Sequence, residues 1–159
     1  MKQYNILFLC THNSARSILG EALASTHPSG RLIGYSAGST PGTSINPIAE
    51  KLAIEMGMDP AKLKSKSWDV FGEPNAPKMD FIITVCDNAA GEVCPFWPGN
   101  PVTAHWGFPD PSQVQGSDLE KKTAFINVMN GLKQRIDILA SMPLDKLDSM
   151  SLKEIHTQL

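Results

Sequence analysis

The sequence predicts an α/β protein: a single three-layer domain with a mainly parallel sheet and helices on both faces. Two observations carry this. Short apolar runs of strand length alternate with stretches whose apolar residues recur at helical spacing, the pattern of strand–helix crossover units. With 159 residues, 42% hydrophobic and 19% charged, the chain can bury one sizeable core, and no internal repeat or low-complexity segment divides it. Residues 1–159 are therefore read as one domain.

The first unit is the clearest. Residues 6–9 (Ile-Leu-Phe-Leu) form a fully apolar run, and Ala15, Ile18, Leu19, Ala22 and Leu23 fall on one helical face directly after it. Residues 31–37 read as the second strand, closed by the turn-rich Gly-Ser-Thr-Pro-Gly of residues 38–42. Asn46 then Pro47 is an N-cap and first-turn pair, and Ile48, Leu52 and Met56 continue at helical spacing as far as Gly57. Residues 59–77 are irregular, with Trp68 and Phe71 expected to plug the edge of the core, and no function is assigned to them. Residues 81–85 read as a third strand and residues 103–106 as a short fourth. Ser117 with Glu120 makes a capping box, and Phe125, Val128, Met129, Leu132, Ile136 and Leu139 form a long apolar stripe that reads as core. Pro143 should break that helix, leaving residues 144–159 as one or two further turns or a tail.

A formal net charge of −2 gives no electrostatic footprint for nucleic acid or an anionic membrane, so a small ligand is expected. The first apolar run is too short for a signal peptide and no later one reaches membrane-span length, so the expected location is the cytoplasm. Cys10, Cys86 and Cys94 cannot form a fully paired disulfide framework and match no common zinc spacing. In a reducing cell they are either buried thiols or redox chemistry. Neither a metal nor an organic cofactor is expected.

The chemistry concentrates in Cys10, Thr11, His12, Asn13, Ser14, Ala15, Arg16 and Ser17. A thiol sits where a strand ends, and an arginine follows just as a helix opens. A loop of this length can curl around a tetrahedral oxyanion, its backbone N–H groups converging on the oxygens while the helix adds its positive end. Arg16 can grip two oxygens through its planar fork. The same donors favour thiolate over thiol, making Cys10 a nucleophile. Taken alone, Cys10 could equally be a small buried residue closing a strand; the strand before it, the helix after it and the small or polar residues between give the nucleophile its weight. With no glycine in the loop, any positive-φ position falls to Asn13, and Ser17 can donate its hydroxyl to the thiolate.

This loop, together with Asp110-Pro111 far downstream, resembles the low-molecular-weight protein tyrosine phosphatase family, and more closely its arsenate reductase branch, over residues 4 to about 139. Where such phosphatases often carry a glycine and a second cysteine, this loop has His12 and Ala15; where a tyrosine pair usually follows their Asp-Pro, Ser112 and Gln113 stand here. Those departures weigh against phosphotyrosine as substrate.

The resemblance implies four parallel strands in order 2-1-3-4, with the first and third strands adjacent at the switch point where ligands bind. Cys10 and Cys86 then end neighbouring strands. Strands about 4.8 Å apart suit the roughly 4.4–6.8 Å that a disulfide accepts between Cα atoms. Cys86 and Cys94 flank a short segment containing Gly91, which could refold between two conformations. The implied reaction is reduction of arsenate, with phosphate or sulfate as binding analogues: Cys10 attacks arsenic, Cys86 attacks Cys10, and Cys94 resolves the result into a Cys86–Cys94 disulfide. Thioredoxin suits that disulfide; a glutathione and glutaredoxin route, or one using mycothiol, would pass through a mixed disulfide. Asp110 is the implied acid, protonating the departing oxygen. Two alternatives stand beside this. A protein tyrosine or aryl phosphatase would use a Cys10 phosphocysteine and Asp110 without the later cysteines, and a redox sensor or oxyanion-binding module would need no acid. His12, His27, His105 and His156 show no ligand spacing and read as structural or surface residues; Asp87 and Asn88 could cap the segment after Cys86.

Overall fold

The computed structural model describes residues 2–42, 44–85 and 101–157. Four strands, β1 (Tyr4–Cys10), β2 (Leu32–Gly38), β3 (Phe81–Thr84) and β4 (Val102–His105), form one sheet in the order β2-β1-β3-β4. Every pairing is parallel, with Leu9 beside Ala37 on one side and Thr84 on the other. The helices are α1 (Arg16–Ser25), α2 (Pro47–Glu55), α3 (Asp118–Ala140) and α4 (Ser149–Thr157). The implied 2-1-3-4 order is the one observed.

The strand alternation divides the core. Tyr4, Ile6, Phe8 and Cys10 point to the face covered by the four helices, where Ile18, Leu19, Ala22, Leu52, Leu132, Ile136 and Leu152 meet them. Leu7 and Leu9 point to the other face, which among the described residues is covered by Trp68 and Phe71 of a 3-10 helix, Trp68–Gly72, with Met79. The apolar run of β1 is thus buried on both sides, as a central parallel strand must be. Truncating Phe8, fully buried, would cost about 3–5 kcal/mol.

Helix ends follow local chemistry. Asn46 Oδ1 accepts from the N–H groups of Ile48 and Ala49, with Pro47 in the first turn, and Ser117 and Glu120 close a reciprocal capping box. The fourth strand begins one residue earlier than the sequence indicates and stops before Trp106. That indole is fully buried, and its Nε1 donates to the Leu152 carbonyl of α4 at 2.8 Å. The C-terminal stretch is ordered into a 3-10 turn, Leu144–Lys146, and then α4, because Leu152 and Ile155 bury themselves at i, i+3 spacing. Among the described residues no helix is long and apolar enough to cross a membrane.

Candidate active site

Cys10 ends the central strand and is only 4% exposed. Beyond it the chain turns through Asn13, whose φ of 48° is the one positive value among the described non-glycine residues. This is the position the absence of loop glycines points to. Asn13 is fully buried and works in two directions: its Nδ2 donates to Ser17 Oγ at 2.8 Å, while its Oδ1 accepts from the Lys66 N–H at 2.9 Å. Because Ser17 Oγ accepts from Asn13, its own proton remains to be given elsewhere.

The loop carbonyls are turned outward onto the scaffold. Thr11 O accepts from the Thr40 N–H, His12 O from the Gly42 N–H and Ser65 Oγ, and Ser14 O from the Asn46 N–H. In a trans peptide the carbonyl and the next N–H point opposite ways, so the N–H groups of His12, Asn13 and Ala15 are aimed to the inside of the curl. α1 opens there at Ala15 without a side-chain cap, and an anion would satisfy its first N–H groups. Gly38 makes the close packing feasible: a Cβ on it would lie 2.6 Å from Thr11 O and 2.8 Å from Cys10 O.

Arg16, the first residue of α1, reaches toward the Phe108–Asp110 segment. Its Nη1 donates to the Phe108 carbonyl at 2.8 Å, and its Nη2 lies 3.7 Å from Asp110 Oδ2. Its Nε is buried with no hydrogen-bond partner among the described residues, the signature of a donor held for something that binds. Asp110 caps the 3-10 turn Pro111–Gln113 and accepts from the Ser112 N–H at 2.9 Å and the Ser112 hydroxyl at 2.7 Å. Partial burial pushes its carboxyl up. The Ser112 bonds, the Arg16 guanidinium and the Gln113 side chain outweigh that and hold it below the usual carboxylate range.

Behind the loop lies an ion pair, its carboxylate buried and its lysine half-buried, that sequence reasoning missed. Glu21 of α1 accepts from Ser36 Oγ of β2, and Lys66 Nζ stands 3.7 Å from Glu21 Oε1. Burial raises the Glu21 carboxyl, with Lys66 and Ser36 opposing, and burial lowers the Lys66 ammonium against the pull of Glu21. The backbone of the same lysine holds the loop: its N–H reaches Asn13, and its carbonyl accepts from the Gly38 N–H at 2.9 Å. The available signal was a carboxylate on the apolar face of α1, one residue from Ala22, which requires a partner.

Each histidine has a hydrogen-bond partner in the scaffold. His12 bonds the Thr40 carbonyl, His27 sits between Ser29 and Asp137, His105 meets Thr84, and His156 meets Arg135. Cys86 and Cys94, with Asp87 and Asn88, lie outside the described residues. Val85, immediately before Cys86, donates its N–H to the Leu9 carbonyl, one residue from Cys10.

The sequence profile of the low molecular weight phosphotyrosine protein phosphatase family matches residues 5–150. An arsenate reductase of Halalkalibacterium halodurans is 35% identical over 140 residues, spanning 88% of this chain and 97% of that protein. The solved arsenate reductase of Archaeoglobus fulgidus superposes with a TM-score of 0.64 at 26% identity, covering 86% of this chain and 99% of that one. A thioredoxin-dependent arsenate reductase of Corynebacterium glutamicum shares the fold, with a TM-score of 0.59 at 23% identity over 88% of this chain and 61% of its own. With a thiol at the end of β1, an arginine at the opening of the helix that follows and a family match over residues 5–150, the chain belongs to the low molecular weight phosphotyrosine protein phosphatase family.

Proposed function

We propose that this protein reduces arsenate to arsenite. The observation that carries the reading is the loop that Cys10 opens, followed by Arg16, whose buried Nε has no hydrogen-bond partner among the described residues. The 35% identical arsenate reductase supports the choice of arsenate among tetrahedral anions.

Arsenate enters as an anion held by the inward N–H groups, the opening of α1 and Arg16. Cys10 thiolate attacks arsenic and a sulfur–arsenic bond forms as an oxygen leaves as water, protonated by Asp110. Cys86 thiolate then attacks Cys10 Sγ. A Cys10–Cys86 disulfide forms, the sulfur–arsenic pair passes to arsenic, and arsenite departs. Cys94 attacks Cys86, freeing Cys10 and leaving a Cys86–Cys94 disulfide, which an external dithiol of the thioredoxin class, or glutaredoxin with glutathione, reduces. The two electrons given to arsenic thus come from that reductant.

Arg16 is one of the groups that hold Asp110 as a carboxylate, after the hydrogen bonds from Ser112. Arg16 faces it across 3.7 Å and favours its carboxylate; an arriving anion takes over that guanidinium and adds negative charge nearby, driving the carboxyl toward its protonated form. A proton is then present when the departing oxygen needs one. This placement also favours a second reading, hydrolysis of a small aryl phosphate through a Cys10 phosphocysteine, which would use Cys10, Arg16 and Asp110 alone.

Arsenate-dependent NADPH oxidation, reconstituted separately with thioredoxin and with glutaredoxin and glutathione, tests the proposal. Turnover in one system is expected. Absence of turnover in both, with aryl phosphate hydrolysis intact, would sink the reductase reading and leave the phosphatase.

A further inference from the structure

A second polar cluster is buried beside the site and has no part in the chemistry above. Arg135 of α3 is 7% exposed; its Nη1 donates to the Gly131 carbonyl at 2.7 Å and its Nε to His156 Nδ1 of α4 at 2.8 Å. Its guanidinium carbon stacks 4.8 Å from the centroid of the Phe108 ring, and the His156 ring meets the same phenyl edge-on at 5.7 Å. Gly131 makes room for this ring: a Cβ there would stand 2.7 Å from Phe108 Cε1, so the middle of a 23-residue helix carries its poorest non-proline former where the phenyl lies. Phe108 is the residue whose carbonyl receives Arg16 Nη1, and Asp110 follows two residues later.

We propose that Arg135 and His156 are positioning residues for the oxyanion site, clamping Phe108 so that its carbonyl orients Arg16 and its chain presents Asp110. This rests on the reading of Arg16 as the anion's grip.

The hydrogen bond fixes the chemistry of the clamp. A guanidinium only donates, so His156 Nδ1 must accept, and the imidazole is neutral with its proton on Nε2. Burial lowers its pKa, and the charges bearing on it, Arg135 from α3 and His105 from β4, lower it further. Protonation would fill the accepting atom and set a second positive charge against Arg135, so acid should loosen the clamp.

Sulfate, a dianion throughout the working range, is the probe, titrated calorimetrically into the full chain at about pH 8 and about pH 5, the lower value set well under the ordinary histidine range because burial and Arg135 depress His156. At the higher pH, His156→Ala should bind sulfate at least about fivefold more weakly, a partial loss of one charge-assisted contact. His156→Gln, whose amide oxygen can still accept from Arg135, should restore binding. The wild type should lose affinity toward the lower pH more steeply than His156→Gln. Gly131→Ala, which presses on the phenyl while keeping both polar partners and improving helix propensity, should weaken binding without lowering the melting temperature to match. Wild-type affinity in folded His156→Ala and Gly131→Ala, with binding lost in Arg16→Ala, would overturn the clamp and leave the Arg16 reading standing. Equal weakening in His156→Ala and His156→Gln at both pH values would also overturn it. Unchanged binding in Arg16→Ala would instead overturn the oxyanion reading itself. Should His156→Ala fail to fold, Gly131→Ala and the pH profile of His156→Gln decide.

Discussion

Arg16 and Asp110 face each other across the mouth of the anion loop, Nη2 to Oδ2 at 3.7 Å, while Ser112 holds the far oxygen of the carboxylate. The guanidinium is thereby shared between an internal carboxylate and the expected anion, and the two compete for it.

Arg16→Ala should weaken phosphate, sulfate and arsenate binding by at least about tenfold, the loss of one charge-assisted bidentate contact. Calorimetric titration measures it, and unchanged affinity would remove Arg16 from the site.

Cys10 should titrate well below a free thiol. The inward amides and the uncapped opening of α1 stabilise its thiolate, whereas an unperturbed thiol has a pKa of about 8.5. Thiolate absorbance against pH, with Cys10→Ser as the blank, gives the value. A midpoint near that of a free thiol would argue against the nucleophile.

Gly38→Ala should separate loop geometry from fold. Its methyl would press on the Cys10 and Thr11 carbonyls, both backbone, so the loop must shift. The expected result is a Cys10 pKa raised toward the free-thiol value and weaker anion binding, with the sheet retained by far-ultraviolet circular dichroism.

The Glu21–Lys66 pair predicts a pH dependence of stability. Burial raises the Glu21 carboxyl above its unfolded value, so the folded state holds its proton more tightly; any stability this gives is present below the unfolded pKa and is lost as pH rises through the folded one. Lys66→Met removes the charge that now opposes this rise. Urea unfolding should therefore find Lys66→Met destabilised more at about pH 8 than at about pH 5, by about 1–3 kcal/mol, as a carboxylate losing its buried partner requires. An equal loss at both values would mean that Glu21 has another partner.

The later cysteines separate reductase from phosphatase. Cys86→Ser and Cys94→Ser should abolish multiple-turnover arsenate reduction and spare aryl phosphate hydrolysis, while Cys10→Ser should lose both. Cys94→Ser should also trap a Cys10–Cys86 disulfide after one turnover, visible by peptide mass mapping without reductant. Normal turnover by Cys94→Ser with thioredoxin would exclude the intramolecular relay.

What the sequence made legible was whatever its local patterns encode. The fully apolar run of β1, the Asn46-Pro47 start and the Ser117–Glu120 capping box are written in adjacent residues, and the positive φ of Asn13 follows from the residue types around it. The strand order came from the family resemblance. The partners of the loop were not legible, because they act through backbone groups that have no residue signature: the Lys66 N–H on Asn13 and the Phe108 carbonyl on Arg16. Ser112 looked like a departure from a family pattern, and its hydrogen bonds to Asp110 emerge only in three dimensions.

The 53-residue separation between Asn13 and Lys66 bears on how the protein is made. A ribosome delivers Cys10 early and the latch for its loop much later. Until residue 66 emerges and docks, Asn13 lacks the bond that helps pin its left-handed backbone, a conformation that costs about 1–2 kcal/mol for a non-glycine residue. If Cys10 titrates low in the folded protein as predicted above, the nascent thiol should behave as an ordinary cysteine and acquire its acidity only once the chain has closed on itself. Reactivity would then be a late product of folding, arising only when residues 13 and 66 meet.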